Sequence, residues 1–409
     1  MIQVRNSHPV GYSASQQEIR YNNTQLIFNL IRGHMPVSRI ELARLCPLAA
    51  STVSNLVDDL LQKKWVVEKE TVQSSARGRR SIMLSVNEQR GYVATVELLG
   101  RGYICTIYDI CLKKICGVRI RNTIYDAFSV AATINTLLRS AKITPEMLIG
   151  ISVIFPGTVD SVSGFLISSP IFPDNELPDR YLSLQLKKQF PGAEVMIVTN
   201  GAVIAFEKFA MCSDYTVLPL LALNIDEAIF GGVVLSDPDN DMNFCVPLDI
   251  GHFVVDYNGR RCRCGNRGCM ETLCSTPVLF QTLNEKAGLE LEYSEQFGTE
   301  CNVVSMQRVA KELDAGNAAV EEALREYARA VCAAIIGAIN GFGVRSVHIG
   351  GDVSLLGNKF LTIVREVFAR EFHALNNTCP IRIELFTSDY EQARLAAAVM
   401  CLDKIFKQK

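Results

Sequence analysis

Apolar residues Ile19, Leu26, Ile27, Leu30 and Ile31 recur at helical spacing, which predicts a first helix. Residues 1–17 ahead of it are polar and without period, and read as a flexible arm. Ser38-Arg-Ile-Glu41 has the form of a capping box, in which serine and glutamate satisfy each other's free backbone donors, so a second helix opens there and ends at Leu45. Cys46-Pro47-Leu48 makes a short turn. A third helix is predicted over 50–64 with Val53, Leu56, Val57, Leu60 and Leu61 on one face, which leaves Ser51, Thr52, Ser54 and Asn55 outward at its N-terminal end. Strands follow at 65–69 and 81–86, around a loop holding Arg77-Gly78-Arg79-Arg80. Three helices, a tight turn and a basic hairpin predict a winged helix-turn-helix, whose second helix of the pair enters the major groove.

From Tyr92 the period changes to strands. Segments 92–98, 103–109 and 116–121 predict an antiparallel meander, followed by a helix over 127–140. An apolar strand at 148–154 ends in Phe155-Pro156-Gly157-Thr158-Val159-Asp160. Another at 195–199 runs into Asn200-Gly201 and a helix over 202–211. A second series opens with strands at 219–223 and 231–235 and ends at Val347-His348-Ile349-Gly350-Gly351. Residues 317–340 read as one long helix whose apolar side is core, with a share left for dimer contacts.

A chain of 409 residues that is 48% hydrophobic can bury a large core and suggests two to three domains. Its net charge of −2 gives no overall attraction to nucleic acid, yet residues 1–81 hold eleven Lys and Arg against six Asp and Glu. Arg77, Arg79 and Arg80 would suit phosphate or minor-groove contact from the wing. The alternative is a small protein-interaction domain with a solvated basic loop. Fourteen cysteines, no apolar signal core at the N-terminus and no run of eighteen apolar residues lead us to expect a cytoplasmic protein with reduced thiols and no membrane insertion.

The candidate chemistry lies between Asp249 and Glu271. Three thiols and one imidazole, Cys262, Cys264, Cys269 and His252, fall within eighteen positions, with Gly259, Gly265 and Gly268 between them. Cys₃His is a usual zinc set, and four protein ligands leave no position open for a reactive water, so the expected Zn²⁺ is structural. The alternative is three unpaired cysteines and a core histidine.

The pattern His-x₉-Cys-x-Cys-Gly-x-x-Gly-Cys-x-Glu closely resembles the signature of the ROK family (repressors, open reading frames and sugar kinases), over about Tyr21 to Phe406. The resemblance implies an α/β chain of ribonuclease-H/actin-like, two-lobed sugar-kinase fold, preceded by a winged helix-turn-helix over 18–86. Lobe 1 would span 90–200 and lobe 2 201–409, with the C-terminal helix returning to lobe 1. It implies sugar contacts at Gly157, Asn200, Asp249, His252 and Glu271, although the family usually has Glu where Asp249 stands. ROK repressors carry such a DNA-binding domain, which assigns DNA contact to Ser51, Thr52, Ser54, Asn55, Arg77, Arg79 and Arg80. Pro47, Ala49, Ala50 and Asn55 depart from the family's usual turn glycine, polar cap and basic residues.

The kinase parts are broken. The family's Asp-x-Gly-Gly-Thr loop is here Glu97-Leu98-Leu99-Gly100-Arg101, and its second glycine-rich loop is Asp226-Glu227-Ala228-Ile229-Phe230-Gly231-Gly232. The Asn-Asp pair that supplies the catalytic base is Asn200-Gly201, and Gly350-Gly351 is followed by Asp352. Phosphoryl transfer needs phosphate positioning and a base, so no enzyme activity is expected. The resulting expectation is a sugar-responsive regulator, a repressor of carbohydrate uptake or metabolism genes. It would be a homodimer or homotetramer on double-stranded operator DNA, answering to a sugar or phosphosugar, or to a transport protein instead. A ROK sugar kinase with an N-terminal extension is the alternative.

Overall fold

The computed structural model describes residues 16–69, 82–121, 125–160, 162–169, 171–172, 178–211, 217–237, 242–293, 300–372, 380–387 and 390–408. Its N-terminal unit begins with α1 (Gln16–His34), which buries Ile27, Phe28 and Ile31. Leu26, expected on that face, is 36% exposed, because the buried stripe centres on Phe28 and leaves Leu26 at its edge. A two-residue strand β1 (Val37–Ser38) leads into α2 (Arg39–Leu45). Both halves of the capping box form: Ser38 Oγ accepts from the Glu41 N–H at 3.3 Å, and Glu41 Oε2 accepts from the Ser38 N–H at 2.8 Å. The third helix, α3 (Ala50–Gln62), buries Val53, Leu56, Val57 and Leu60. β2 (Val66–Lys69) and β3 (Met83–Val86) follow, in an antiparallel sheet ordered β1-β3-β2.

The rest of the chain builds the same sheet twice. The first series is β4 (Tyr92–Leu99), β5 (Gly102–Asp109), β6 (Lys114–Ile120), α4 (Ala127–Ser140), β7 (Leu148–Phe155), β8 (Thr158–Val159), β9 (Leu166–Ser168), α5 (Leu182–Gln189), β10 (Glu194–Thr199) and α6 (Asn200–Met211). The second is β11 (Leu220–Ile225), β12 (Ile229–Asp237), β13 (Met242–Leu248), α7 (Glu271–Cys274), α8 (Thr276–Ala287), α9 (Glu300–Asp314), α10 (Ala318–Phe342), β14 (Ser346–Gly350), α11 (Gly357–Glu371), β15 (Arg382–Leu385) and α12 (Tyr390–Gln408). Strand orders are β6-β5-β4-β7-β10 and β13-β12-β11-β14-β15, each an antiparallel meander extended by two parallel strands.

Parallel strands need cover on both faces, and the helices supply it. α4 and α5 cover one face of the first sheet, with Val130, Ile134 and Leu186 in one cluster with Ile151 and Val153. α8, α10 and α11 cover one face of the second, around Leu221, Leu223 and Ile349. The helices α6 and α12 lie between the sheets. Their Val203, Phe206, Ala397, Cys401 and Ile405 share one buried cluster with Val93 and Ile149 of the first sheet and Leu220 and Val234 of the second. That cluster continues into the N-terminal unit. Phe406 stacks on Trp65 with ring centroids 4.1 Å apart and lies 4.5 Å from Phe28, and the Tyr21 hydroxyl donates to the Asp403 carbonyl at 2.8 Å. The last helix is thus part of the N-terminal core.

Candidate functional site: a cysteine–histidine cluster and the polar residues beside it

After β13 the chain makes a 3-10 turn over Ile250–His252, closed by the His252 N–H on the Asp249 carbonyl at 3.0 Å. The loop that follows is folded by its own backbone: the Cys262 N–H reaches the Asn266 carbonyl at 2.8 Å, and the Gly265 N–H the Cys262 carbonyl at 3.0 Å. Gly268 has φ +65° and no room for a side chain, since a Cβ there would lie 1.4 Å from the Asp256 carbonyl oxygen. These constraints bring His252, Cys262, Cys264 and Cys269 together, with all ligand atoms within 4.8 Å of one another. Cys264 Sγ lies 3.6 Å from Cys269 Sγ, and Cys262 Sγ 3.7 Å from His252 Nδ1. Burial, then the sulfurs of Cys264 and Cys262, push the Cys269 thiol up to about 12. Three thiols and an imidazole at one point suit a cation that takes the place of their protons, so the cluster could hold a metal ion.

Glu271 opens α7, two residues beyond the last cysteine, and is buried. Its Oε2 accepts the Ile229 N–H at 3.1 Å, and its Oε1 accepts both Nε and Nη2 of Arg263, each at 3.2 Å. The start of β12 is where several backbones meet. A Cβ on Gly251 would lie 2.2 Å from the Ile229 carbonyl oxygen, and one on Gly201 would lie 2.0 Å from that of Gly231. α6 therefore crosses β12 backbone against backbone, and Asn200 at its start is held in place. Asn200 Oδ1 is buried and has no hydrogen-bond partner among the described residues.

Gly157 is enclosed: a Cβ there would lie 2.2 Å from the Ser168 carbonyl oxygen. Its neighbour Thr158 donates Oγ1 to Asp249 Oδ2 at 3.0 Å, a bond from the first sheet's side of the molecule to the second's. Asp249, His252 and Glu271 are thus joined around the cysteine loop, with Gly157 brought to Asp249 through Thr158 and Asn200 to Glu271 through β12. The sequence reading missed Arg263 and Thr158. Arg263 stands between two candidate ligands, a position that could have drawn notice; nothing in the local pattern signals Thr158.

The three glycine-loop positions are filled by protein. Glu97 of β4 is buried against Arg394 of α12, Nη1 to Oε2 at 2.6 Å. Asp226, at the β11–β12 turn, accepts the Asp352 backbone N–H at 2.6 Å and an amide hydrogen of Asn224. Asp352 in turn accepts from Thr276 Oγ1 at 2.9 Å. Burial, then the Asp226 charge, push the Asp352 carboxyl up to about 7. Gly350 is covered by Phe386, whose Cζ would lie 2.3 Å from a Cβ placed there.

On the N-terminal unit, Ser51 and Asn55 are exposed on α3, and Thr52 and Ser54 are half-buried. No side chain caps α3 at Ala49, and its first turn carries no acidic residue. Arg77, Arg79 and Arg80 lie outside the described residues. No helix among those residues is long and apolar enough to cross a membrane.

Comparison with known proteins points to one family. The xylose repressor of Caldicellulosiruptor bescii is 25% identical over 355 residues, 84% of this chain and 86% of its own. The DNA-binding transcriptional dual regulator NagC of Escherichia coli is 25% identical over 353 residues, 82% of each chain. A crystal structure of a ROK family transcriptional regulator, a homolog of the Escherichia coli Mlc protein, matches the fold with TM-score 0.71 at 19% identity, covering 95% of this chain and 97% of that one. The ROK family model itself matches residues 118–401, and with the cysteine–histidine cluster and the duplicated sheet in place, the chain belongs to the ROK family.

Proposed function

We propose that the chain is a sugar-responsive, DNA-binding transcriptional repressor of carbohydrate uptake or metabolism genes, acting as a homo-oligomer on double-stranded operator DNA. The observation that carries this reading is the shared core: the exposed N-terminal end of α3 and the polar residues around Asn200 are joined through one buried cluster that includes α6, α12, Phe406 and Trp65. An uncapped helix start with no acidic first turn favours an anionic backbone nearby, and Ser51 and Asn55 are free to meet base edges. The xylose and NagC relatives support the sugar and DNA parts of the reading. Arg77, Arg79 and Arg80 are proposed as the wing's phosphate contacts.

The metal is proposed to be one structural Zn²⁺ on His252, Cys262, Cys264 and Cys269. A tetrahedron with ordinary zinc bond lengths has edges of roughly 3.8 Å between sulfurs and roughly 3.6 Å between sulfur and nitrogen. The 3.6 and 3.7 Å separations found here fit it. The zinc holds the loop that presents Glu271 and His252. Sugar hydroxyls would be taken by Asp249, His252, Glu271 and Asn200, whose Oδ1 needs a donor, with Gly157 allowing close approach.

Kinase activity is opposed by the geometry as well as by the sequence. Gly201 has no space for a base, and the acidic pair Asp226 and Asp352 would repel a nucleotide's phosphates. Regulation is then a matter of linkage. A sugar shifts DNA affinity only as far as it binds the free and DNA-bound states differently, typically ~1–3 kcal/mol.

The test is operator affinity, on DNA selected from a random pool, measured with and without xylose, glucose, N-acetylglucosamine and their phosphates. Wild type should release the operator about tenfold more readily with its effector. Glu271→Ala should stay bound at the same effector concentration. A Glu271→Ala protein that responds fully would remove the sugar site from the reading.

A further inference from the structure

The two carboxylates that would bind the sugar are each held by a donor from this chain. Carboxylate oxygens offer about four lone-pair sites between them. At Glu271, two sites on Oε1 are taken by Arg263 and one on Oε2 by the Ile229 N–H, so one is left. At Asp249, Oδ2 takes the Thr158 hydroxyl from across the interlobe junction. The Ile229 bond is structural, since that N–H is buried in the β12 start. The other two are not. Arg263 is 46% exposed on its side chain against 7% for Glu271, and among the described residues it has no other partner. Its backbone is fixed between Cys262 and Cys264, while its long side chain can swing into water.

Resting on the sugar site proposed above, we infer that Arg263 and Thr158 are internal competitors of the effector, and that binding requires Arg263 to leave Glu271 and Thr158 to leave Asp249. The ligand that replaces them is an uncharged polyol with neighbouring hydroxyls, which can supply paired donors to Glu271 in place of the guanidinium's two. Each exchange swaps a protein donor for a ligand donor on the same oxygen, so hydrogen bonds are conserved at the carboxylates. The net loss is the ion pair, and the exchange therefore sets affinity. It also explains how binding could be felt between the lobes: the Thr158–Asp249 bond, a side-chain link from the first sheet's side to the second's, must open or be replaced by a ligand that touches both sides.

Removal of Arg263 should act with an unusual sign. A residue that merely orients Glu271 would, when removed, weaken sugar binding. Arg263→Ala should strengthen it about five- to tenfold, because a half-exposed, charge-assisted pair no longer has to be broken. Thr158→Val should strengthen it about two- to threefold, as a single neutral hydrogen bond is lost from the competition. Salt gives a second readout. A neutral sugar has no charge to screen, yet wild-type affinity should rise about twofold between roughly 0.05 and 0.5 M salt as the Arg263–Glu271 pair weakens, and Arg263→Ala should lose that dependence.

The experiment is calorimetric titration of the full-length, zinc-loaded protein with xylose, glucose and N-acetylglucosamine, for wild type, Arg263→Ala and Thr158→Val. Tighter binding by the variants, or binding by Arg263→Ala where wild type shows none, supports the inference. Equal or weaker binding by Arg263→Ala overturns it while leaving the sugar site standing. No binding of any of the three sugars by any of the proteins overturns this inference and the sugar site together. Should Arg263→Ala fail to retain zinc, Thr158→Val and the wild-type salt dependence decide: weaker binding and a flat salt response overturn the inference.

Discussion

Two groups of polar residues differ in what holds them: around the cysteine loop the carboxylates take exposed side-chain donors, whereas at the positions that match the family's phosphate loops they are held mainly by buried groups. Around the cysteine loop, Asn200 Oδ1 is buried without a partner among the described residues, and Glu271 and Asp249 hold side-chain donors from Arg263 and Thr158. At the positions that match the family's phosphate loops, Glu97 pairs with Arg394, whose Nε is buried without a partner among the described residues, Asp226 accepts from Asn224 and the Asp352 N–H, and Phe386 covers Gly350. A buried polar group without a partner destabilises, so where a ligand no longer binds, side chains that take over its contacts are favoured. The exposed Arg263 and the buried Asn200 Oδ1, which has no partner among the described residues, are what support the ligand proposed at the cysteine loop.

The largest effect should come from breaking the sugar side at its metal. Cys269 is fully buried, and Cys269→Ser should abolish zinc binding, which metal analysis of protein purified without chelator would read as less than one zinc per chain. Because metal affinity of a structural site is folding free energy, the loop from His252 to Glu271 should become open to protease and thermal stability should drop sharply. The nucleotide side, tied by the Glu97–Arg394 ion pair, should stay protected in the same digest. Wild type purified without any metal would end the contrast as drawn.

Next in size is an attempt to restore the kinase side. Gly201→Asp puts a Cβ 2.0 Å from the Gly231 carbonyl oxygen, at a helix–strand crossing where neither backbone can yield. Overpacking of side chains costs ~1–3 kcal/mol, and a backbone clash should reach the top of that range. Denaturant unfolding should show the loss, and ATP with a hexose panel should give no phosphorylation. Turnover of even ~1 s⁻¹ would mean the crossing can open, and the closed side is then not closed.

Legibility in the sequence followed the range of the interactions. The capping box at Ser38 and Glu41 and the spacing of Cys262, Cys264 and Cys269 are local patterns, and both form as read. The meander over β4 to β6 and the long α10 were legible because their periods run for many residues. Strand β1 is two residues long and carries no period, and β13 is an edge strand with Pro247 near its end, so its pattern is weak. The loss of the phosphate loops could be read from substitutions. What fills them could not, because Arg394 and Phe386 come from far along the chain and reach Glu97 and Gly350 only in the fold. The same holds for Thr158 and Asp249.

The smallest effect concerns the charge that marks the nucleotide side. Asp352 ordinarily titrates at 3.8, and burial followed by the neighbouring Asp226 charge raises it to about 7. Tyr327 of α10 also faces the pair, its own hydroxyl pushed well above its usual value by burial. In the interval from 3.8 to about 7 the folded protein holds a proton that the unfolded chain has released, so stability falls as pH rises through that window and stays lower above it. Asp352→Asn carries no charge at any pH and can still accept from Thr276. It should therefore be more stable than wild type at pH 8 by ~1–2 kcal/mol, a fraction of the full linkage because the group is not wholly buried, and the two should converge near pH 4. Denaturant midpoints across that range would measure it. A variant less stable than wild type at pH 8 would mean that the ionised pair is compensated by a cation, and the nucleotide side would then have exchanged one ligand for another instead of closing.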